Sequence, residues 1–163
     1  KGYGFGIMQG IRAANGDYVG WCHADLQTPP IRFLDAIKII ENSVTPEHTY
    51  VKGKRRKRKP FDKFFSVSMS LFEMLILGKY LPEINAQPNL FHKKHLDYWH
   101  LPPNDFSLDL FALYEADRQG LTIHRFWVEF LSRTAGKGSN DGLKAKIKYS
   151  LSTIKFSIKL KRR

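Results

Sequence analysis

The chain has 163 residues, 42% of them hydrophobic and 13% aromatic, which suffices for one sizeable core and excludes a disordered segment. A formal charge of +12 points to anionic partners and leaves nucleic acid, acidic lipid and phosphate-bearing metabolites open. Cys22 stands alone, so an internal disulfide is excluded and a reduced compartment fits. No apolar run is long enough to span a bilayer, and no apolar stretch follows Lys1 as in a signal peptide.

In chain order, Ile7, Met8, Ile11 and Ala14 follow helical spacing, with Gly16 as the stop. Tyr18 to Cys22 reads as a buried strand running into the polar loop His23 to Gln27. Thr28 is expected to cap a helix with Pro30 in its first turn and Ile31, Leu34, Ile37 and Ile40 on its inner face. Thr49 to Lys52 is a second strand, and the cationic run Lys54 to Lys59 follows it. After Pro60 comes a long helix with an apolar stripe of Phe61, Phe64, Phe65, Leu71, Phe72, Leu75 and Ile76, ended by Gly78. Asn85 to Phe91 is irregular, then extended. Phe106 to Gln119 is helical, stopped by Gly120, and Leu121 to Phe130 is the last strand. Alternating helices and strands predict a single α/β domain over residues 1–142, followed by a tail over 143–163.

Asp25 and Gln27 lie two apart just past a strand, where groups collect at the ends of open α/β sheets. A carboxylate and an amide at that spacing can share a hard cation, Mg²⁺ or Mn²⁺; they can equally satisfy loop backbone and cap the next helix. His23 is a candidate nitrogen ligand, which would favour Mn²⁺, or a hydrogen-bonded strand-end residue. Gly2, Gly4 and Gly6 lack the preceding strand of a phosphate loop and read as packing glycines. The run from Lys52 to Lys63 would repel itself unless it meets anions, and its lack of interleaved aromatics argues against base stacking. Asp105 suits a helix start, whereas Asp109 sits among apolar positions and is a candidate base or nucleophile-orienting carboxylate. In the tail, Leu143, Ile147, Leu151, Ile154 and Ile158 step by three and four among lysines. That is the pattern of a basic helix on a membrane surface, although a helix packed on the domain, or a strand from Ile154 onward, also fits.

Taken in order, these segments resemble the inverting GT-A family 2 glycosyltransferases that include the dolichol-phosphate mannosyltransferases and polyprenyl-phosphate sugar transferases. The resemblance runs through Lys1 to Tyr18, the D-A-D-L-Q-like His23–Ala24–Asp25–Leu26–Gln27–Thr28–Pro29–Pro30, Gly53–Lys54–Arg55 with Arg58, and Asn85–Ala86–Gln87–Pro88 to Lys93. It continues through Phe106 to Leu110 and the loop from Arg133 to Gly138. It implies a mixed sheet flanked by helices, a UDP- or GDP-linked sugar donor, and Mg²⁺ or Mn²⁺ at Asp25 and Gln27, with His23 in place of that family's first aspartate. It further implies Arg55, Arg58 and Arg133 on phosphate, Asn85 and Gln87 on the acceptor side, and Asp109 as the acceptor-side carboxylate. The family's N-terminal nucleotide-binding strands have no counterpart before Lys1, which implies an incomplete GT-A domain. The implied acceptor is polyprenyl or dolichyl phosphate, with a glycan hydroxyl as the alternative. The implied location is the cytoplasmic face of an anionic membrane, and nucleic acid is not an expected partner. A non-catalytic basic binding module remains the reading from another class.

Overall fold

The computed structural model describes residues 2–56, 60–131 and 142–162, with side chains at all of these but 60–63, 65 and 143–146. Four strands, β1 (Tyr18–Trp21), β2 (Thr49–Arg56), β3 (Asn89–His92) and β4 (Thr122–Glu129), form one mixed sheet in the order β1-β3-β2-β4. β3 is antiparallel to both neighbours, with Val19 opposite Phe91 and Val51 opposite Leu90. β2 and β4 are parallel, with Lys52 opposite Arg125. The helices are α1 (Tyr3–Ala13), α2 (Arg32–Glu41), α3 (Pro60–Leu77), α4 (Leu108–Arg118) and α5 (Leu143–Lys161).

Strand alternation divides the core in two. Trp21, Tyr50 and Phe91 join Met8, Ile11, Leu110, Phe111 and Leu113 on one side, while Val51 and Leu90 meet Ala36 and Ile40 of α2 on the other. Lys52 and Asn89 share the strand phase of Tyr50 and Phe91, so they face the α4 side. α4 buries eight of its eleven residues, which fits a helix at the centre of the domain. Gly78 and Gly120, at φ +69 and +72, supply the left-handed residue after α3 and α4, as their positions suggest. Gly2 and Gly4 lie against the backbone of Asn104 and Pro103 with no room for a Cβ, as packing glycines should; Gly6 has open space.

Four expectations need correction. α2 begins at Arg32, and Thr28 is fully buried with its hydroxyl unpartnered among the described residues, so Thr28 is not its cap. Ile31, Leu34 and Ile37 are exposed; the buried face is Ala36 and Ile40, with Phe33 and Ile39 beside them. The second strand does not end at Lys52, because Lys54 to Arg56 continue β2 along β4, where Lys54 lies over the Trp127 ring and Arg56 meets Glu129. Of the α3 stripe, Phe64, Leu71, Phe72 and Leu75 are exposed and Ile76 is half-buried, while Ser70 and Glu73 are buried; the side chains of Phe61 and Phe65 lie outside those described. The tail is helical, which resolves the helix-or-strand alternative over 154–160.

Candidate functional site

The polar loop leaves β1 after Trp21. Asp25 Oδ1 accepts the Gln27 amide N–H at 3.2 Å, and Leu26 between them adopts φ +59, a left-handed backbone uncommon for leucine. The end of β4 clamps this turn from both sides. Leu131 N–H donates to the Gln27 carbonyl at 2.8 Å, and Gln27 Nε2 donates to the Leu131 carbonyl at 3.1 Å. His23 lies edge-on to Phe130 with its ring centroid 6.0 Å away, and its Nε2 is buried with no hydrogen-bond partner among the described residues. Burial holds the His23 pKa below its ordinary value. Asp109 and Asp25 oppose that shift, and Arg55 and Lys52 add to it.

Asp109, at the start of α4, is 2% exposed and surrounded by donors. Trp21 Nε1 reaches Oδ1 at 2.9 Å, the Tyr3 hydroxyl reaches Oδ2 at 2.8 Å, and Asn89 Nδ2 lies 3.4 Å from Oδ1. The Tyr3 phenol is pushed far above its usual range, first by burial and then by the Asp109 charge. Gln87 Nε2 donates to the same Tyr3 hydroxyl, and the Gln87–Pro88 bond is cis. Beyond Asn89, the fully buried Lys52 ammonium donates to Asn89 Oδ1 at 2.8 Å and to the Ala86 carbonyl at 2.9 Å, and the Tyr50 hydroxyl donates to the same Oδ1 at 3.0 Å. Burial lowers the Lys52 pKa to about 7, with Asp109 opposing the shift.

The residues singled out from sequence therefore fall into unlike settings. His23, Asp25 and Gln27 share the strand-end loop, and the Asp109 charge acts on His23. Arg55 is tied through Nε to Glu83 at 2.9 Å and packs over Phe130. Gln87 is fully buried and Asn85 is exposed. Arg58 and Arg133 lie outside the described residues. Sequence reading passed over Tyr3, Trp21, Glu83 and Asn89, and it placed Lys52 at the head of an anion-meeting run, whereas Lys52 is fully buried. Lys52 did carry a signal, a charged residue between Val51 and Gly53 in a strand otherwise buried there.

A mixed α/β sheet whose edge strand β1 runs into an Asp–x–Gln loop, with a buried carboxylate behind it, has the layout of an enzyme handling a phosphate-bearing donor. Residues 1–112 match the model for glycosyl transferase family 2, and with 112 of 163 residues matched the chain belongs to that family. It is a sugar-transferring domain, working between a nucleotide-sugar donor and an acceptor. No curated protein is similar enough to match it.

Among the described residues, no three His, Cys, Asp or Glu side chains gather as a metal cage. A hard cation bridging substrate phosphates needs only one or two protein carboxylates. The Asp25 carboxylate beside the orphaned His23 nitrogen fits that sparser demand.

Proposed function

We propose that this domain transfers a sugar, with inversion, from a UDP- or GDP-linked donor to a polyprenyl or dolichyl phosphate at an anionic membrane surface. The observation that carries the choice of acceptor is the setting of Asp109. Both its oxygens accept hydrogen bonds, from the buried Trp21 indole and the half-buried Tyr3 hydroxyl, and almost none of it meets solvent. A sugar hydroxyl must lose a proton during attack and needs a presented base. A phosphate monoester, with a second pKa of about 6, is already largely ionised at neutral pH and needs none.

Asp25 and Gln27, with His23 Nε2 as a further ligand, would hold Mg²⁺ or Mn²⁺, which neutralises charge on the departing nucleoside diphosphate when bound. The phosphate oxygen attacks the anomeric carbon opposite the diphosphate; one C–O bond forms as the other breaks, and the centre inverts. Arg55, Arg58 and Arg133 pair with phosphate oxygens. Asn85 and Gln87 belong to the acceptor side, Gln87 through its hold on Tyr3. Asp109 orients the site rather than taking a proton.

The outer faces of α3 and α5 support the membrane reading. These helices pack against each other, with Ser157 beside Glu73, and turn Phe64, Leu71, Leu75, Ile147, Leu151 and Ile158 outward. Lys148 and Lys155 flank a shallow groove on α5 with Ile147, Leu151 and Ser152. Apolar residues bordered by lysines fit an acyl boundary under anionic head groups. Among the described residues no helix is long and apolar enough to cross a membrane.

The test restores the reading frame upstream of Lys1 and incubates the full chain with labelled UDP- and GDP-sugars, Mg²⁺ or Mn²⁺, and polyprenyl phosphate. Label should enter the organic phase, and Asp25→Asn or EDTA should reduce it at least a hundred-fold with the fold intact. Label found only in soluble glycans would overturn the lipid-phosphate acceptor.

A further inference from the structure

Asn89 is the hinge of the buried network, because its amide can face Asp109 in two ways. With Nδ2 toward Asp109 Oδ1 it donates to the carboxylate; with Oδ1 turned there, two acceptors would confront each other. The choice is made on the far side. Lys52 Nζ and the Tyr50 hydroxyl both donate to Asn89 Oδ1, and donors on that side can be met only by the amide oxygen. Lys52 is itself anchored on the Ala86 carbonyl, one residue before Gln87, whose side chain holds the Tyr3 hydroxyl on the other oxygen of Asp109.

We propose that Lys52 is a positioning residue for Asp109: by fixing the Asn89 amide with its donor toward Oδ1 and by anchoring the Ala86 carbonyl beside Gln87, Lys52 keeps the Asp109 carboxyl fully hydrogen-bonded in the site. This rests on the reading that Asp109 belongs to the transfer site, and it explains why a lysine occupies a position with no solvent contact. Burying an ammonium is costly unless it is hydrogen-bonded and opposed by charge. Lys52 has two acceptors, and Asp109 from α4 and Glu83 from the segment before β3 oppose its charge. Arg55 on its own strand and Arg125 on β4 act against it, and burial outweighs the rest. Hydrophobic packing alone would be better served by methionine.

The first measurement needs no variant and no substrate. In the unliganded chain with ¹³C-labelled aspartate and ¹⁵N-labelled side-chain amides, titration through neutral pH should move the Asn89 amide and the Asp109 carboxyl resonances together as Lys52 loses its proton. Independent behaviour would overturn the proposal. In Lys52→Met, the Asn89 side-chain amide and Asp109 carboxyl resonances should both move from their parent positions at a fixed pH. In the transfer assay, kcat should fall at least ten-fold with donor KM within about three-fold. Lys52→Gln, which retains a donor for Asn89 Oδ1 but not the charge, should recover part of the kcat. A folded Lys52→Met with unmoved Asn89 and Asp109 resonances would reduce Lys52 to packing. A parent chain that transfers no sugar would strike the functional reading while leaving the resonance coupling intact.

Discussion

Gly53 is the residue on which the approach of β2 to the site depends. A Cβ there would lie 2.2 Å from the Gln87 carbonyl oxygen and 2.7 Å from its carbon, both backbone atoms that cannot swing aside. The Gly53 N–H also donates to the Pro88 carbonyl at 2.9 Å, so strand and loop cannot separate cheaply. Gly53→Ala should therefore cost about 3 kcal/mol by overpacking, read as a lower urea midpoint at unchanged m. Gly10→Ala, with nothing within 4 Å of the added methyl and a helical backbone, should stabilise by roughly 0.5–1 kcal/mol in the same titration. At this scale the sequence was legible in part. Asp25, Gln27 and Asp109 stand out because carboxylates and amides at strand ends and helix starts are easily noticed. Lys52, Asn89 and Tyr3 do not, because nothing local says that positions 52, 89, 3 and 109 converge. Only the register Lys52 opposite Asn89 across β2 and β3, and the packing of α1 under α4, bring them together.

Among the elements, the boundaries of α1, β1, α4 and β4 follow from periodicity and glycine stops to within a few residues, whereas the facing of α2 and α3 does not. Periodicity locates an apolar stripe, and the inference that the stripe points inward assumes water on the other side. α3 breaks that assumption by burying Glu73, whose two carboxylate oxygens have no hydrogen-bond partner among the described residues. Burial raises the Glu73 pKa, with the Ser157 hydroxyl beside it partly offsetting the shift. A carboxyl that titrates higher in the fold than in the unfolded chain lends stability below the unfolded value near pH 4.3, and loses it as pH rises through the folded value. Glu73→Leu should remove that loss. Its urea midpoint should exceed the parent's by the equivalent of about 2 kcal/mol at pH 8, with a smaller gap at pH 5. An equal gap at both pH values would mean that Glu73 is not protonated on folding.

For the whole molecule, the α/β class was legible because helices and strands alternate along the chain, but the sheet order was not. β3 inserts antiparallel between β1 and β2, a pairing that no spacing encodes. The placement of α5 against α3 is likewise tertiary, and both helices keep apolar residues exposed. Phe64 is 71% exposed and Leu75 74%, the neighbouring helix adds Ile147, Leu151 and Ile158, and Lys148, Lys155, Lys159 and Lys161 are exposed along α5. Apolar area and positive charge should then act together on a bilayer, the lysines contributing about 1 kcal/mol each near an anionic surface. The chain should co-sediment with vesicles containing 30% phosphatidylglycerol much more strongly than with pure phosphatidylcholine. Binding to the anionic vesicles should fall several-fold when salt rises from about 50 to 500 mM, as screening shortens the reach of the charges. Leu71→Glu with Leu75→Glu, both on the exposed face of α3, should weaken binding at least ten-fold at low salt while the far-UV spectrum and urea midpoint stay put. Loss of binding through the lysines alone, with the α3 double variant still bound, would confine the contact to the α5 charges and remove α3 from the surface.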